Sequence, residues 1–140
     1  MTTKNNTLNF EPITPNVSVV VPVLNEADNV GPLIKEIDGA LRGKDAFEII
    51  FVDDGSDDAT LAALAALKNE HSELRVIRHR QRTGQSAAIW TGVAAARAPI
   101  IATLDGDGQN DPADLPRLFE RAQRGDVTLV AGHRTNRRDD

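Results

Sequence analysis

Short runs rich in valine and isoleucine alternate with segments of helical periodicity along this chain. The first run, Val17 to Val23, is almost entirely β-branched, which is typical of a strand that is covered on both faces. Four later runs predict further strands at residues 47–54, 74–79, 99–105 and 127–133. Because strands that alternate with helices are joined by crossovers, we expect an α/β fold with a mostly parallel sheet and helices on both faces.

Helices are predicted between these strands, at about residues 30–41, 61–67, 86–97 and 115–122. Each of Ser56, Asp57 and Asp58 is a candidate cap for the second helix. Trp90 falls on an apolar face of the third helix, so we expect it to pack in the core. The pattern predicts one domain over residues 17–134, with a polar tail at 1–16 and a polar end at 135–140.

Composition removes several classes of function. The net charge of -5 argues against nucleic acid as a main partner. Since the chain has no cysteine, disulfides and thiolate metal sites are excluded. The first sixteen residues lack the apolar segment of a secretory signal, and the longest apolar stretch is far too short to cross a bilayer.

Polar residues follow the predicted strands where each strand ends. In an open parallel sheet these ends lie along one edge, and ligands bind in the crevice beyond it. We therefore expect a functional site at this edge. Its candidate residues are Asn25 and Glu26, Asp53 to Ser56, Asp105 to Gln109, and Gly132 to Arg134.

The fourth predicted strand ends in Asp105-Gly106-Asp107. Two carboxylates separated by one residue can converge on a hard cation such as Mg²⁺ or Mn²⁺, and Gln109 can add a neutral oxygen. The glycines permit close approach of a ligand. A turn in which the aspartates accept hydrogen bonds from backbone amides is the alternative. An EF-hand is excluded, because the sixth and twelfth positions counted from Asp105 carry neither glycine nor glutamate.

Two other loops carry residues suited to a nucleotide. Asp53 and Asp54 end the second predicted strand, and such carboxylates can accept hydrogen bonds from a base or a ribose hydroxyl. A basic loop follows the third strand, and its arginines either meet phosphates or are simply solvated; they are Arg78, Arg80 and Arg82. We assign no role to His71 or His79.

Five motifs follow one another along the chain, and they read VVVPVLNEADNV, EIIFVDDGSDDAT, RTGQSAAIWTG, ATLDGDGQNDP and VAGHR. In this order and spacing the chain resembles family 2 glycosyltransferases from about Val17 to Arg134. The resemblance is closest to the dolichyl- or polyprenyl-phosphate mannosyl- and glucosyltransferase branch. It implies the GT-A fold, which is a Rossmann-like nucleotide-binding sheet.

The resemblance also implies roles for individual positions. Asp105 and Asp107 would hold the metal and the diphosphate, Gln109 would be a third metal ligand, and Arg134 would meet the phosphate or the sugar. By this resemblance the catalytic residues are Asp105, Asp107 and Arg134. The nucleotide-sugar-binding residues would be Pro22, Leu24, Asn25, Glu26, Val52, Asp53, Asp54, Asp105, Gly106, Asp107 and Arg134.

The implied activity is transfer of a hexose from a GDP- or UDP-sugar, such as GDP-mannose, to polyprenyl or dolichyl phosphate. It would invert the anomeric carbon and need Mg²⁺ or Mn²⁺. The resemblance further implies a location at the cytoplasmic face of a membrane and an acceptor-side region that these 140 residues do not contain. Two alternatives stay open: a nucleotide-binding module without turnover, and a metal-dependent phosphatase that uses the Asp-x-Asp pair.

Overall fold

The computed structural model of the protein describes residues 14–107 and 111–124, and the backbone of residues 129–131. Within them strands and helices alternate as predicted, with ends that differ by a few residues. No helix in these ranges is long and apolar enough to cross a bilayer. The elements are β1 (Val17–Val23), α1 (Val30–Leu41), β2 (Phe47–Asp53), α2 (Thr60–Lys68), β3 (Leu74–Arg78), α3 (Gln85–Ala95), β4 (Ile100–Thr103), a 3-10 turn (Pro112–Asp114), α4 (Leu115–Arg124) and β5 (Leu129–Ala131).

The strands form a parallel sheet in the order β3-β2-β1-β4-β5. The central strand, β1, pairs with β2 from Val17 to Val23 and with β4 from Val17 to Val20. After β3 the chain returns past β1 to form β4, so the strand order reverses beside β1. In open sheets of this kind the crevice at such a reversal is where ligands bind.

Helices cover both faces of the sheet, as the sequence predicts. On one face the alternate valines of β1 share the larger core with residues of α1 and α4, among them Ile34 and Phe119. On the other face Ala88 of α3 packs with Ile50 and Val52 of β2. Every residue of β1 and β2 is buried. This burial confirms that the continuous apolar runs are strands covered on both sides.

Helix α3 lies unusually close to the sheet. A Cβ atom added at Gly92 would lie 2.3 Å from Cγ1 of Val20 and 3.3 Å from Cγ2 of Val52. Because real side-chain atoms do not approach this closely, any residue larger than glycine would push the helix away from β1 and β2. Gly92 therefore sets the distance between α3 and the sheet.

The prediction that Trp90 packs in the core is wrong, since the structure leaves this residue 70% exposed. The residues of α3 that face the sheet are small, and Ala88 and Gly92 are buried there. At about 100° per residue, position 90 lies on the opposite side of the helix from positions 88 and 92. Because α3 lies so close to the sheet, only small residues fit on its sheet-facing side, and the indole of Trp90 lies on its outer side.

A buried carboxylate, Glu48, joins elements at the amino edge of the sheet. It accepts hydrogen bonds from the Ser18 hydroxyl at 2.6 Å, the Arg97 amide at 2.7 Å and the Arg75 guanidinium at 2.9 Å. Burial raises the pKa of Glu48, but these hydrogen bonds and one from the Arg97 side chain outweigh it and hold the pKa below its usual range. The charge is therefore retained for structure, at the edge remote from the predicted ligand crevice.

Candidate functional site

A cavity of about 460 Å³ opens at the carboxyl edge of the sheet. Its walls come from the end of β1 and from the loops that follow β1, β3 and β4, with one residue just after β2 and one at the start of α3. These loops are far apart in sequence, and the strand order brings them together. The lining residues are Pro22, Val23, Leu24, Glu26, Asp54, Arg82, Gly84, Gln85, Asp105, Gly106 and Asp107.

Most of the site residues predicted from the sequence line this cavity, but not all of them do. Val52 packs in the core beneath α3, while Asn25 and Asp53 do not line the cavity. Gln109 and Arg134 lie outside the described residues, so their roles stay predictions. The sequence-based prediction did not assign Val23 or Gln85 to the site, and it considered Gly84 only as part of the start of a helix whose N-terminus favours an anion. The glycine before a helix and the polar first residue of that helix were the available signals for the last two.

The loop after β2 braces the loop after β1. Asn25 has a positive φ of 55°, and its amide donates to the Ser56 hydroxyl at 2.8 Å. Its side-chain oxygen accepts from the Asp57 amide at 3.0 Å. The Glu26 amide donates to the Thr60 hydroxyl at 2.9 Å. Asn25 therefore shapes the cavity wall through its neighbours, and Leu24 and Glu26 form the wall itself.

The predicted helix caps take a different form in the structure. Helix α2 begins at Thr60 without a side-chain cap on the preceding residue. Instead the Asp58 carboxylate accepts from the Thr60 amide at 2.8 Å and from the Thr60 hydroxyl at 2.5 Å. The Ser56 hydroxyl is used by the amide of Asn25. Of the three candidates, Asp58 is thus the one whose carboxylate serves the start of the helix.

Asp54 is a hydrogen-bonded hub that fixes the basic loop. Its Oδ1 accepts from the amide and the hydroxyl of Thr83, both at 2.9 Å, and its Oδ2 accepts from the Gly84 amide at 2.9 Å. Nδ1 of His79 lies 2.8 Å from Oδ1, and Nε2 of the same ring lies 2.7 Å from the Thr91 hydroxyl. Asp54 therefore ties the end of β2 to the loop before α3, and His79, given no role from the sequence, belongs to this network.

The environment of Asp54 also changes its acidity. The residue is only 4% exposed, and this burial raises the pKa of its carboxyl group. The hydrogen bonds from His79, Thr83 and Gly84 outweigh burial and lower the pKa from the ordinary 3.8 to about 2. The carboxylate is thus ionised at neutral pH and held in place by its donors.

Replacing Asp54 with asparagine is expected to reduce the free energy of unfolding at pH 7 by about 1–3 kcal/mol. The substitution replaces one accepting carboxylate oxygen with an NH2 group, which is itself a donor and cannot accept the hydrogen bonds that surround this position. Because the pKa of Asp54 is lower in the folded than in the unfolded state, its charge stabilises the fold fully at pH values above the unfolded-state pKa, which is about 4. This contribution is lost as the pH falls from about 4 towards about 2, the pKa in the folded state. The difference between wild type and Asp54→Asn should therefore shrink over that interval in urea titrations. The exposed Asp28 offers the matched control, Asp28→Asn, with little effect throughout. A difference that stays constant from pH 7 to pH 2 would contradict the role of the charge.

The acidic loop after β4 packs tightly against the end of β1. A Cβ atom added at the buried Gly106 would lie 2.3 Å from Cγ1 of Val23 and 2.8 Å from the carbonyl oxygen of Pro22. The glycine between the two acids is therefore required by contact with β1. Asp105 is half-buried, and its Oδ1 accepts from Nε2 of Gln85 at 3.0 Å, while Asp107 is exposed.

The two carboxylates and their surroundings suit a hard divalent cation. Over residues 14–107 and 111–124, no group of three or more acidic, histidine or cysteine side chains forms a metal cluster. Mg²⁺ in particular is commonly held by one or two carboxylates and completes its shell with water and substrate phosphates. Two carboxylates such as Asp105 and Asp107 could therefore hold such a cation without a third protein ligand.

Comparison with known proteins agrees with these features. Residues 18–140 match Glycosyl transferase family 2. The chain is 42% identical over 125 residues to the dodecaprenyl-phosphate galacturonate synthase of Rhizobium johnstonii, an alignment that covers 88% of this chain and 37% of that protein. It is 44% identical over 126 residues to the undecaprenyl-phosphate 4-deoxy-4-formamido-L-arabinose transferase of Pseudomonas paraeruginosa, again covering 88% of this chain and 37% of that protein.

The fold is similar to that of a mannosyltransferase from Pyrobaculum calidifontis, which was solved in complex with GDP-Man and Mn²⁺. The TM-score is 0.64 at 24% sequence identity, over 79% of this chain and 35% of that one. This likeness confirms the expected GT-A fold. The chain spans little more than a third of the length of the relatives that it matches.

Proposed function

The chain belongs to glycosyltransferase family 2, and on that premise we propose that it builds the donor-binding part of a sugar transferase that acts on a polyprenyl phosphate. The observation that carries the proposal is the cavity, where the loop after β1 faces the acidic pair after β4. Two relatives that are 42% and 44% identical are named as a dodecaprenyl-phosphate galacturonate synthase and an undecaprenyl-phosphate 4-deoxy-4-formamido-L-arabinose transferase. The donor is a GDP- or UDP-sugar, and the acceptor is polyprenyl or dolichyl phosphate at the cytoplasmic face of a membrane.

Asp105 and Asp107 are proposed to hold Mg²⁺ or Mn²⁺. When bound, the cation stabilises the negative charge that gathers on the departing nucleoside diphosphate. Gln85 holds Asp105 by a hydrogen bond, and Gly106 presses the loop against β1, so the protein orients this carboxylate before any ligand arrives. Gln109 and Arg134, both outside the described residues, are proposed as a further metal ligand and as a contact to phosphate or sugar.

The proposed acceptor, a lipid phosphate, does not need a strong general base from this part of the chain. A phosphate monoester has a second pKa of about 6 and is therefore an anion near neutral pH. Such a nucleophile attacks the anomeric carbon without a strong general base. The proposed reaction inverts that carbon, because the acceptor attacks from the side opposite the leaving diphosphate.

A second candidate is a nucleotide-binding module without turnover. Membership of a glycosyltransferase family argues against the phosphatase alternative. Acceptor-dependent release of UDP or GDP separates the transferase from the binding module.

The proposed function is tested by calorimetric titration with UDP, GDP and their sugar conjugates, in Mn²⁺, in Mg²⁺ and in chelator. We expect one nucleotide series to bind, and its affinity to fall at least about tenfold without metal, since the cation bridges the protein to the diphosphate. The matched nucleosides, which lack phosphate, should show no metal dependence. Equal affinity for the diphosphate with and without chelator would contradict a metal-dependent donor site.

A further inference from the structure

We infer that Arg82 binds a phosphate group of the donor nucleotide in the cavity, an assignment that rests on the proposed function. The sequence offered three arginines in the loop after β3 without separating them. Arg82 lines the cavity, and Arg78 and Arg80 do not. The assignment therefore names one residue of the basic loop as a ligand of the substrate.

The charge of the cavity calls for such a residue. Its described lining includes the carboxylates of Glu26, Asp54, Asp105 and Asp107, and Arg82 is the basic side chain among the described lining residues. The two negative charges of Asp105 and Asp107 would neutralise a divalent cation held between them, so the metal site would carry no net positive charge. A nucleoside diphosphate brings further negative charge, so a cation outside the metal site is needed to bind it. The guanidinium group offers paired donors that match phosphate oxygens.

The guanidinium of Arg82 is available for this contact. Other arginines are engaged elsewhere: Arg75 and Arg97 pair with Glu48 at the opposite edge of the sheet. In the part of the chain that the structure describes, no hydrogen bond or ion pair engages the Arg82 side chain. The nearby amide of Gly84 already donates to Asp54. Of the arginines in this loop, Arg82 is thus the one that both lines the cavity and has its guanidinium free of partners among the described residues.

The backbone on both sides of Arg82 is held in place by contacts, although the loop itself is exposed to solvent. On one side Gly55 has φ 85°, and a Cβ atom there would lie 3.0 Å from the backbone nitrogen of Arg82. On the other side Asp54 accepts hydrogen bonds from the amides of Thr83 and Gly84. A side chain on a preorganised backbone loses less entropy when it binds a ligand. The Asp-Asp-Gly sequence after β2 therefore positions Arg82.

The location of Arg82 favours the donor as the source of the phosphate. Gln85, three residues further on, donates to Asp105, so the basic loop and the acidic loop border the same space. A diphosphate shared with a cation at Asp105 and Asp107 lies in this space. The acceptor phosphate is the other possible source, and it differs from the donor in lacking a nucleoside.

The test compares Arg82→Gln with Arg80→Gln, the same change in the same loop but outside the cavity. Each variant is titrated in Mn²⁺ with UDP and GDP, with uridine and guanosine, and with geranyl phosphate as an acceptor probe. For whichever of UDP and GDP binds to the wild type, Arg82→Gln should lower the affinity at least about tenfold, as expected for loss of a charge-assisted contact. The nucleoside should be unchanged, and Arg80→Gln should stay within about twofold throughout. Circular dichroism and thermal melts check that both variants fold.

Three results would overturn the assignment. The first is an unchanged affinity of Arg82→Gln for the nucleoside diphosphate. The second is an equal loss of affinity for the nucleoside and the diphosphate, because that pattern indicates that the substitution has distorted the wall of the cavity. A loss confined to geranyl phosphate would overturn the donor assignment in favour of the acceptor. If wild type binds no nucleotide with metal present, the proposed function fails together with the assignment, and this outcome is recognised before any variant is compared.

Discussion

Replacing Asp107 with alanine is expected to abolish most of the metal-dependent affinity for UDP or GDP. Changes to groups that merely orient a metal ligand cost about 10–100-fold in affinity, and removal of the ligand itself should cost at least as much. Asp107 is exposed at the mouth of the cavity, so its removal should leave the free energy of unfolding nearly unchanged. The loss is therefore attributable to the site.

The measurement is a titration of nucleoside diphosphate at fixed Mn²⁺, repeated in chelator. In chelator, wild type and Asp107→Ala should bind with similar weak affinity, because the carboxylate acts through the cation. Asp28→Ala, an exposed acid outside the cavity, is the control and should match wild type. If Asp107→Ala kept its affinity in Mn²⁺, the acidic pair would be a turn without a metal.

Replacing Gly92 with valine is expected to destabilise the protein by about 3 kcal/mol, at the upper end of what overpacking usually costs. The added Cβ atom would lie 2.3 Å from Cγ1 of Val20 in the central strand and 3.3 Å from Cγ2 of Val52 in β2, and valine carries two further methyl groups beyond it. To relieve the clash, α3 must move away from β1 and β2. Since α3 begins at Gln85, the shift would also reach the hydrogen bond to Asp105.

The matched control is Gly39→Val, the same substitution within helix α1. Gly39 has open space around it, with nothing within 4 Å of an added Cβ. Valine is slightly better than glycine inside a helix, so this variant should change the free energy of unfolding by less than about 0.5 kcal/mol. Urea denaturation of both variants gives the comparison. Equal stabilities would mean that α3 does not pack against β1 as closely as Gly92 indicates.

The sheet could be predicted from the sequence because burial leaves a pattern along the chain. The continuous apolar runs at β1 and β2 predicted strands covered on both faces, and all of their residues are buried. Trp90 shows where the same reasoning ends. Apolar character predicts that a residue is buried, but the side of α3 that meets the sheet was decided by how closely the helix approaches, which Gly92 controls.

The candidate site was predicted in part for a similar reason. The acids at the ends of β2 and β4 could be expected to lie at one edge, because parallel strands place their carboxyl ends together. What each acid does could not be predicted. Asp54 bonds with residues that lie 25 to 30 positions further along the chain, and such contacts leave no periodic signal. Its many internal donors make Asp54 a positioning residue for the basic loop.

The strand order has a consequence for how the protein is made. The walls built from residues 22–26, 54 and 82–85 belong to the first three strands and the start of α3, and hydrogen bonds already join them to one another. The acidic wall arrives later, when β4 returns to the free side of β1. During synthesis, which proceeds from the amino terminus, the residues proposed to face the nucleotide would therefore emerge before the proposed metal ligands. Binding of the proposed metal would then depend on the docking of β4 against β1.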